Sequence, residues 1–321
     1  MNEKTPKLIV VVPCYNEEEM LPVSQSLFAD EINILIESGR VSPESLVLFV
    51  DDGSSDATWR IISDLAKRNP RFRGIRQSRN RGHQFALWAG LTEAASLGCD
   101  ATITIDCDGQ DDVHVMEAMM DEYAKGADVV YGVRNDRSTD TFLKRFTAVT
   151  FYRLQAAMGV EAVFNHADYR LLSSRVLGAL LQFREVNLYL RGLVPLVGFK
   201  SAQVYYKRER RMAGSGHFGL FKMLAFAADG ITSLSIRPIR LVLSCGIVLA
   251  AAGAIALAAA LIAYLVDAKV LGTLIVSAVV MVVGGLNLAG LGVIGEYVGK
   301  AYLESKGRPR AVISERTWRE E

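Results

Sequence analysis

The sequence predicts an α/β domain built on a mostly parallel sheet, followed by a pair of membrane-spanning helices. Three observations predict it. Strand-sized apolar runs alternate with helical patterns from Leu8 to Tyr131. Polar and acidic clusters close those runs, at the strand ends where open α/β sheets gather their ligands. From Leu241 to Ile294 almost no charge interrupts the chain, a composition suited to hydrocarbon.

The elements follow in order. Leu8–Val12 is a β-branched strand ending at Pro13, and Glu17–Glu37 reads as a helix. Leu46–Val50 is a second apolar strand, ending in Asp51-Asp52-Gly53-Ser54. Thr58–Asn69 is helical, and Phe72–Arg76 is a weaker strand. His83–Leu97 is a helix with Ala86, Leu87, Gly90, Leu91 and Ala94 on one face. Ala101–Ile105 is a strand ending in Asp106-Cys107-Asp108, and Val129–Tyr131 closes the series.

Leu241–Val266 and Val270–Ile294 each exceed the roughly 20 residues that span ~30 Å of hydrocarbon. The link Asp267-Ala268-Lys269 is short, so the two spans form a hairpin. Arg237 and Arg240 precede it, and Lys300, Lys306, Arg308 and Arg310 follow. The positive-inside rule puts the N-terminal domain and the tail on the cytoplasmic side of the cytoplasmic (inner) membrane. Gly284, Gly285, Gly290, Gly292 and Gly295 permit close helix contact within the hairpin or between protomers. Phe218–Ile236 mixes apolar residues with Lys222 and Asp229, as interfacial amphipathic helices do. The expected boundaries are 1–212 for the α/β domain, 213–238 for the interfacial helices, 239–297 for the spans and 298–321 for a cytoplasmic tail.

Composition narrows the function. A net charge of +1 argues against a nucleic-acid partner. Cys14, Cys99, Cys107 and Cys245 form no CxxC pair and have no histidine cluster beside them, which fits a reducing compartment without a zinc site. The start, Met1 to Lys7, is polar and carries no signal-peptide pattern. Asp106-Cys107-Asp108 offers two carboxylates at one strand end, able to address a divalent cation and a diphosphate bound to it. Gln110, Asp111 and Asp112 extend that cluster. Asp51 can accept hydrogen bonds from a base or ribose, Gly53 lets the backbone turn beneath it, and Asp56 suits the N-cap of the next helix.

Four segments occur in order: Val12-Pro13-Cys14-Tyr15-Asn16-Glu17, Val50-Asp51-Asp52-Gly53-Ser54, Asn80-Arg81-Gly82 and Ile105-Asp106-Cys107-Asp108-Gly109-Gln110-Asp111. Together they resemble the inverting family 2 glycosyltransferases with the GT-A fold. The likeness continues through Tyr131-Gly132-Val133-Arg134, His166-Ala167-Asp168-Tyr169-Arg170-Leu171, Leu190-Arg191-Gly192-Leu193 and Asp229-Gly230-Ile231. It ends in two spans followed by Gly295-Glu296-Tyr297-Val298-Gly299. This combination is similar to the polyprenyl-phosphate glycosyltransferases, which include bactoprenol glucosyltransferases and dolichyl-phosphate mannose synthase.

The resemblance implies inverting, metal-dependent transfer of a sugar from a nucleotide-sugar to polyprenyl (undecaprenyl) phosphate. UDP-glucose or UDP-N-acetylglucosamine is the expected donor, with GDP-mannose as the alternative. It assigns Pro13, Tyr15, Glu17, Asp51 and Asp106 to the nucleotide-sugar. Asp106, Asp108 and Gln110 fall to Mg²⁺ or Mn²⁺. Arg134, Arg137, Arg170 and Arg191 fall to the acceptor phosphate. Asp168, Asp108 and Arg134 become the catalytic candidates, Asp168 as base or acceptor-side carboxylate, and a homo-tetramer is expected. Two positions depart from the family: His217 stands where relatives carry a phosphate-gripping lysine, and Gly109 where leucine is usual. Lys207-Arg208-Glu209-Arg210-Arg211 is a cationic loop that can compensate. A processive polysaccharide synthase would share the domain, but Trp59, Trp88 and Trp318 lie in no Gln-x-x-Arg-Trp motif. A catalytically silent membrane scaffold is disfavoured by the Asp106/Asp108 pair.

Overall fold

A computed structural model describes residues 5–134, 166–207, 232, 235, 237–265 and 272–318. Arg137, the link 267–269, residues 208–211, His217 and most of the expected interfacial segment lie outside the described residues. The chain divides into two compact units, one built on a sheet and one on long helices.

In the sheet unit the strands are β1 (Leu8–Cys14), β2 (Leu46–Asp51), β3 (Phe72–Gln77), β4 (Ala101–Thr104), β5 (Val129–Arg134), β6 (His166–Ser173), β7 (Ser201–Tyr206) and β8 (Ile313–Arg316). They form one sheet in the order β7-β5-β6-β4-β1-β2-β3-β8. The pairs β1–β2, β1–β4, β2–β3 and β5–β7 are parallel, whereas β6 runs antiparallel to both neighbours and β8 antiparallel to β3. The mostly parallel α/β prediction therefore holds, with two antiparallel strands that the apolar pattern did not announce.

β1, β2 and β4 are buried along their whole length because helices cover both faces, which is why they read as continuous apolar runs. The helices are α1 (Leu21–Glu37), α2 (Thr58–Arg68), α3 (His83–Ser96), α4 (Val115–Ala124), α5 (Ser174–Leu180) and α6 (Leu190–Leu196). Leu8, Val10 and Val12 face a core shared with Phe28 and Ile32 of α1 and Met116 and Met119 of α4. Phe28, Phe49 and Phe72 run through it, with ring centroids 6.3 and 5.5 Å apart. Val11 faces the other way, onto α3, where a Cβ on Gly90 would stand 2.3 Å from Val11 Cγ1 and 2.8 Å from Val50 Cγ2. The missing side chain lets α3 lie close against the sheet.

The last strand is unexpected. The segment after the apolar helices, anticipated as a tail, returns to the sheet as β8. There Thr317 Oγ1 accepts from Gly74 N at 3.0 Å, and Arg316 forks onto Glu93 with both bonds at 3.1 Å.

In the helical unit, α7 (Arg237–Leu265) and α8 (Gly272–Ser305) are 29 and 34 residues long. Among the described residues one stretch, Val282–Ser305, is long and apolar enough to cross a membrane. Gly290 faces Val242, where a Cβ would come within 3.1 Å of Val242 Cγ1. Among the described residues nothing stands within 4 Å of where a Cβ would lie on Gly284, Gly285, Gly292 or Gly295, and of these five Gly290 is the one in contact with the other helix. Tyr297 donates to the Ser235 carbonyl, and Lys300 Nζ to Thr232 Oγ1 at 2.5 Å. Cys14, Cys99, Cys107 and Cys245 are all free thiols.

Candidate active site

The motifs at the ends of β1 and β2 are stitched to each other. Asn16, with a left-handed φ of 53°, donates its N–H to Ser54 Oγ at 3.0 Å and accepts from Ser55 N at 2.9 Å. Glu17 N donates to Thr58 Oγ1, and the Glu18 carboxylate accepts from Ala57 N, both at 2.9 Å. These bonds occupy residues 16–18 in a loop, so α1 starts at Leu21 and not at Glu17.

Asp51 and Asp52, adjacent in sequence, have different tasks. Asp52 is saturated: it accepts from Gln77 Nε2 at 2.8 Å, Arg81 N at 2.9 Å and Gly82 N at 2.8 Å. It thereby fixes the Asn80-Arg81-Gly82 turn. Asp51 is fully buried, and its Oδ1 accepts from Ser54 N at 2.9 Å. Its Oδ2 faces Arg76 Nε at 3.2 Å but makes no hydrogen bond. Burial raises the pKa of Asp51 above the usual carboxylate range, against the pull of Ser54 and Arg76. Pro13 is paired with Val50 in the β1–β2 ladder, and Tyr15 projects from the same strand end, 47% exposed.

Gly53 carries φ +67°, and a Cβ there would stand 2.5 Å from the Arg79 carbonyl carbon and 2.6 Å from Asn80 N. Both the angle and the crowding exclude a side chain. Gly53→Ala is expected to destabilise the sheet unit by about 1–3 kcal/mol. A thermal melt beside wild type checks this; an unchanged melting point would contradict the close approach.

Strand register brings the second cluster together. β6 pairs antiparallel with β4, with Arg170 opposite Thr104. Two residues further on, the same register carries Asp168 toward Asp106. The β6 carboxylate lies at the centre of a charged group: Asp168 Oδ1 is paired with Arg170 Nη2, and Oδ2 accepts from Arg191 Nη2 at 3.0 Å. His83 Nε2, from the first residue of α3, lies 3.5 Å from Asp168 Oδ2 and 3.6 Å from Asp106 Oδ1.

The electrostatics follow from this packing. Burial pushes the Asp168 pKa upward, but Arg191, Arg170 and His83 outweigh it and hold the carboxyl well below the ordinary range. Asp106 moves the other way, raised by low solvation and by the carboxylates of Asp111, Asp168 and Asp108, with His83 opposing. Low solvation disfavours a charge on His83, yet Asp106 and Asp168 prevail and raise its pKa. Burial lowers that of Arg170, which is 2% exposed and whose Nη1 has no hydrogen-bond partner.

The rest of the acidic stretch is also held by local bonds. Asp108 Oδ1 accepts from Gln110 N at 3.1 Å, across Gly109 in the left-handed region at φ 66°. That conformation suits glycine. Asp111 is buried and accepts from Arg134 Nη2 at 3.0 Å and from the Tyr206 hydroxyl at 2.6 Å. Arg134 Nε also donates to the Tyr206 oxygen at 3.3 Å.

Of the residues chosen from sequence, the fold gathers Pro13, Tyr15, Glu17 and Asp51 around the β1 and β2 ends. It gathers Asp106, Asp168, Arg170 and Arg191 around the β4–β6 ends. Arg134 is engaged by Asp111, a partner the sequence reading left unassigned. His83 was missed as a site residue; its signal was its place directly after Gly82 at a strand-to-helix junction. A separate group, Glu31, His114 and Glu117, has potential ligand atoms within 4.8 Å of one another and could hold a metal ion. In it His114 Nδ1 lies 2.7 Å from Glu31 Oε2, and Arg40 Nη1 sits 3.3 Å from Glu117 Oε2.

Comparison with known proteins identifies the family. The family model described as glycosyl transferase family 2 matches residues 9–181. The uncharacterized glycosyltransferase YkoT of Bacillus subtilis (strain 168) is 44% identical over 98% of this chain and 93% of its own. The bactoprenol glucosyl transferase of Shigella phage SfV is 37% identical over 96% of this chain and 98% of its own. The prophage bactoprenol glucosyl transferase homolog of Escherichia coli (strain K12) is 36% identical over the same shares.

Proposed function

The chain belongs to glycosyl transferase family 2, and on that premise we propose that it moves glucose from UDP-glucose to a polyprenyl phosphate at the cytoplasmic face of the membrane. The observation that carries the reading is the β4–β6 cluster. There an acidic side chain, Asp106, sits beside cationic groups, His83 and the Asp168-linked arginines. A diphosphate leaving group and a phosphate acceptor need both signs of charge within one cleft. The near full-length likeness to bactoprenol glucosyl transferases supports the acceptor and the sugar.

Asp106 and Asp108, with Gln110 beside them, are the residues that would hold Mg²⁺ or Mn²⁺. They fit in chemistry, since hard oxygen donors suit these ions. They fit in electrostatics too, because neighbouring carboxylates already raise the Asp106 pKa and a cation would relieve that repulsion. Bound there, the ion would neutralise charge developing on the departing diphosphate. On this reading, turnover ceases in excess chelator and returns with added Mg²⁺ or Mn²⁺. Wild-type rates in chelator would contradict it.

The remaining steps belong to the protein. Asp51 and Arg76 offer an acceptor beside a donor, matching a base edge that presents N–H next to C=O. Pro13, Tyr15 and Glu17 border the same space. Arg170, Arg191 and, from outside the described residues, Arg137 are assigned to phosphate, Arg170 and Arg191 held in place by Asp168. Arg134 reaches phosphate only by sharing its guanidinium with Asp111. Arg191, Arg170 and His83 hold the Asp168 carboxyl below the ordinary range, which favours an acceptor-side, orienting role over that of a base. No base is required, because a phosphate monoester is largely dianionic near neutrality, with a second pKa of about 6. Its oxygen attacks the anomeric carbon as the nucleoside diphosphate leaves, with inversion.

Chain connectivity supports a two-span hairpin. The chain leaves the sheet unit before α7 and rejoins it as β8 after α8, which requires an even number of membrane crossings. If α8 crosses, α7 is the segment available to cross back. The basic residues Arg237, Arg240, Lys306, Arg308 and Arg310 flank both outer ends, favouring a cytoplasmic sheet unit. We assign residues 213–238 to the interface, where they would bring the lipid phosphate to the cleft, and a homo-tetramer through the glycine face of α8.

The test is to incubate membranes containing the protein with labelled UDP-glucose, UDP-N-acetylglucosamine or GDP-mannose, and extract the lipid. Label in polyprenyl phosphate from UDP-glucose supports the reading. Label from GDP-mannose instead would make this a mannose synthase.

A further inference from the structure

The strand β8 carries more than a closing edge for the sheet. Three side chains line up across adjacent strands: Asp51 of β2 pairs in register with Arg76 of β3, and Arg76 with Glu315 of β8. Cross-strand neighbours of this kind interact directly. Arg76 Nε lies 3.2 Å from Asp51 Oδ2, and Arg76 Nη1 lies 3.0 Å from Glu315 Oε1. Arg76 Nη2 also donates to the Ser54 carbonyl at 3.2 Å. The second oxygen of Glu315 is engaged as well, accepting from Trp59 Nε1 of α2 at 3.0 Å. Glu315 is therefore fixed from two sides, and its carboxylate holds the outer edge of the guanidinium whose inner edge meets Asp51.

We propose that Glu315, on the strand that follows the membrane helices, is a positioning residue for the donor nucleotide, setting Arg76 against Asp51 so that the pair presents one donor and one acceptor to the base. This rests on the reading that Asp51 receives the base. Three features support it. Asp51 Oδ2 is buried without a hydrogen bond, so an acceptor stands ready beside an arginine whose direction decides what else can approach. The strand itself is firmly held without Glu315, by Thr317 on Gly74, Arg316 on Glu93, and Ser78 N donating to the Val312 carbonyl at 2.9 Å. The Arg76–Glu315 pair is partly exposed, with side chains 32% and 51% accessible, so it adds little to stability and its use is directional.

The same segment reaches the neighbouring turn. Arg81 Nη2 donates to the Pro309 carbonyl at 3.1 Å, and Arg310 stacks over Trp88 at 4.2 Å. The first contact is on the turn just before α3 and the second on the side of that helix.

The experiment measures KM for UDP-glucose and kcat on full-length detergent-solubilised protein for Glu315→Ala, Glu315→Gln, Asp51→Ala and Arg316→Ala. Glu315→Ala is expected to raise KM roughly fivefold with kcat little changed, the scale of one partly exposed ion pair. Glu315→Gln, which keeps the acceptor for Trp59 and loses the charge, is expected to fall between. Arg316→Ala disturbs the same strand without touching Arg76, and is expected to lower the melting point and leave KM unchanged. If Asp51→Ala raises KM while Glu315→Ala does not, or if Arg316→Ala raises it equally, Glu315 has no positioning role. If Asp51→Ala leaves KM unchanged, the underlying assignment of the base site fails instead.

Discussion

Asp168→Ala is expected to destabilise the sheet unit by about 3–5 kcal/mol, the scale of removing one partner from a buried ion pair. The reason is Arg170. Its side chain is 2% exposed, its Nη1 already lacks a hydrogen bond, and Asp168 is the carboxylate paired with it. Chemical denaturation of the variant beside wild type measures the loss. The double variant Asp168→Ala/Arg170→Met removes the stranded charge and is expected to recover much of the stability, but no activity. Recovery of activity would mean that neither charge serves the reaction.

The pH dependence has a definite sign. A carboxyl whose folded pKa is depressed contributes stability at pH above its unfolded value, about 3.9. That contribution is lost as pH falls through the lower folded value. The Asp168 share of stability is thus complete above about pH 5 and lost only in strong acid, below about pH 4. Its ionisation also gives no limb to a rate profile near neutrality. A titration with a midpoint between pH 5 and 7 that disappears in Asp168→Asn would contradict this.

The second large effect falls on activity alone. Asp106→Asn is expected to lower turnover about a thousandfold, the loss of several kcal/mol of leaving-group stabilisation. Its stability should stay level or rise, because burial and the carboxylates of Asp111, Asp168 and Asp108 disfavour a charge on Asp106 and raise its pKa. A group that is costly to the fold and needed for the reaction has this signature. Unaltered turnover in Asp106→Asn, at a melting point equal to wild type, would remove Asp106 from the mechanism.

The parallel centre of the sheet was legible because β1, β2 and β4 are covered on both faces and spell unbroken apolar runs. Their polar ends stood out by contrast, which made Asp51, Asp106 and Asp108 visible. β6 was hidden by its own function. Its buried Asp168 and Arg170 pair with each other, and two charges within a strand destroy the pattern that announces one. β8 was hidden for a related reason. Ile313–Arg316 has two charged residues in four, each answered by a partner far away in sequence, Arg76 for Glu315 and Glu93 for Arg316. His83 is brought to Asp106 by the start of α3, a distance no spacing rule records. Arg134 was recognised as a cation, but its Asp111 partner was not, because the pairing depends on β5 and β7 lying side by side with Tyr206 between them.

Direct transfer of the sugar to a lipid phosphate is tested most directly by the fate of the nucleotide. Purified protein is given UDP-glucose labelled in the uracil and in the sugar, with and without undecaprenyl phosphate in detergent. The account predicts UDP release that requires the lipid, one glucose per lipid, and inverted anomeric configuration in the product. Release of UMP, or growth of a polymer on the lipid, would contradict it.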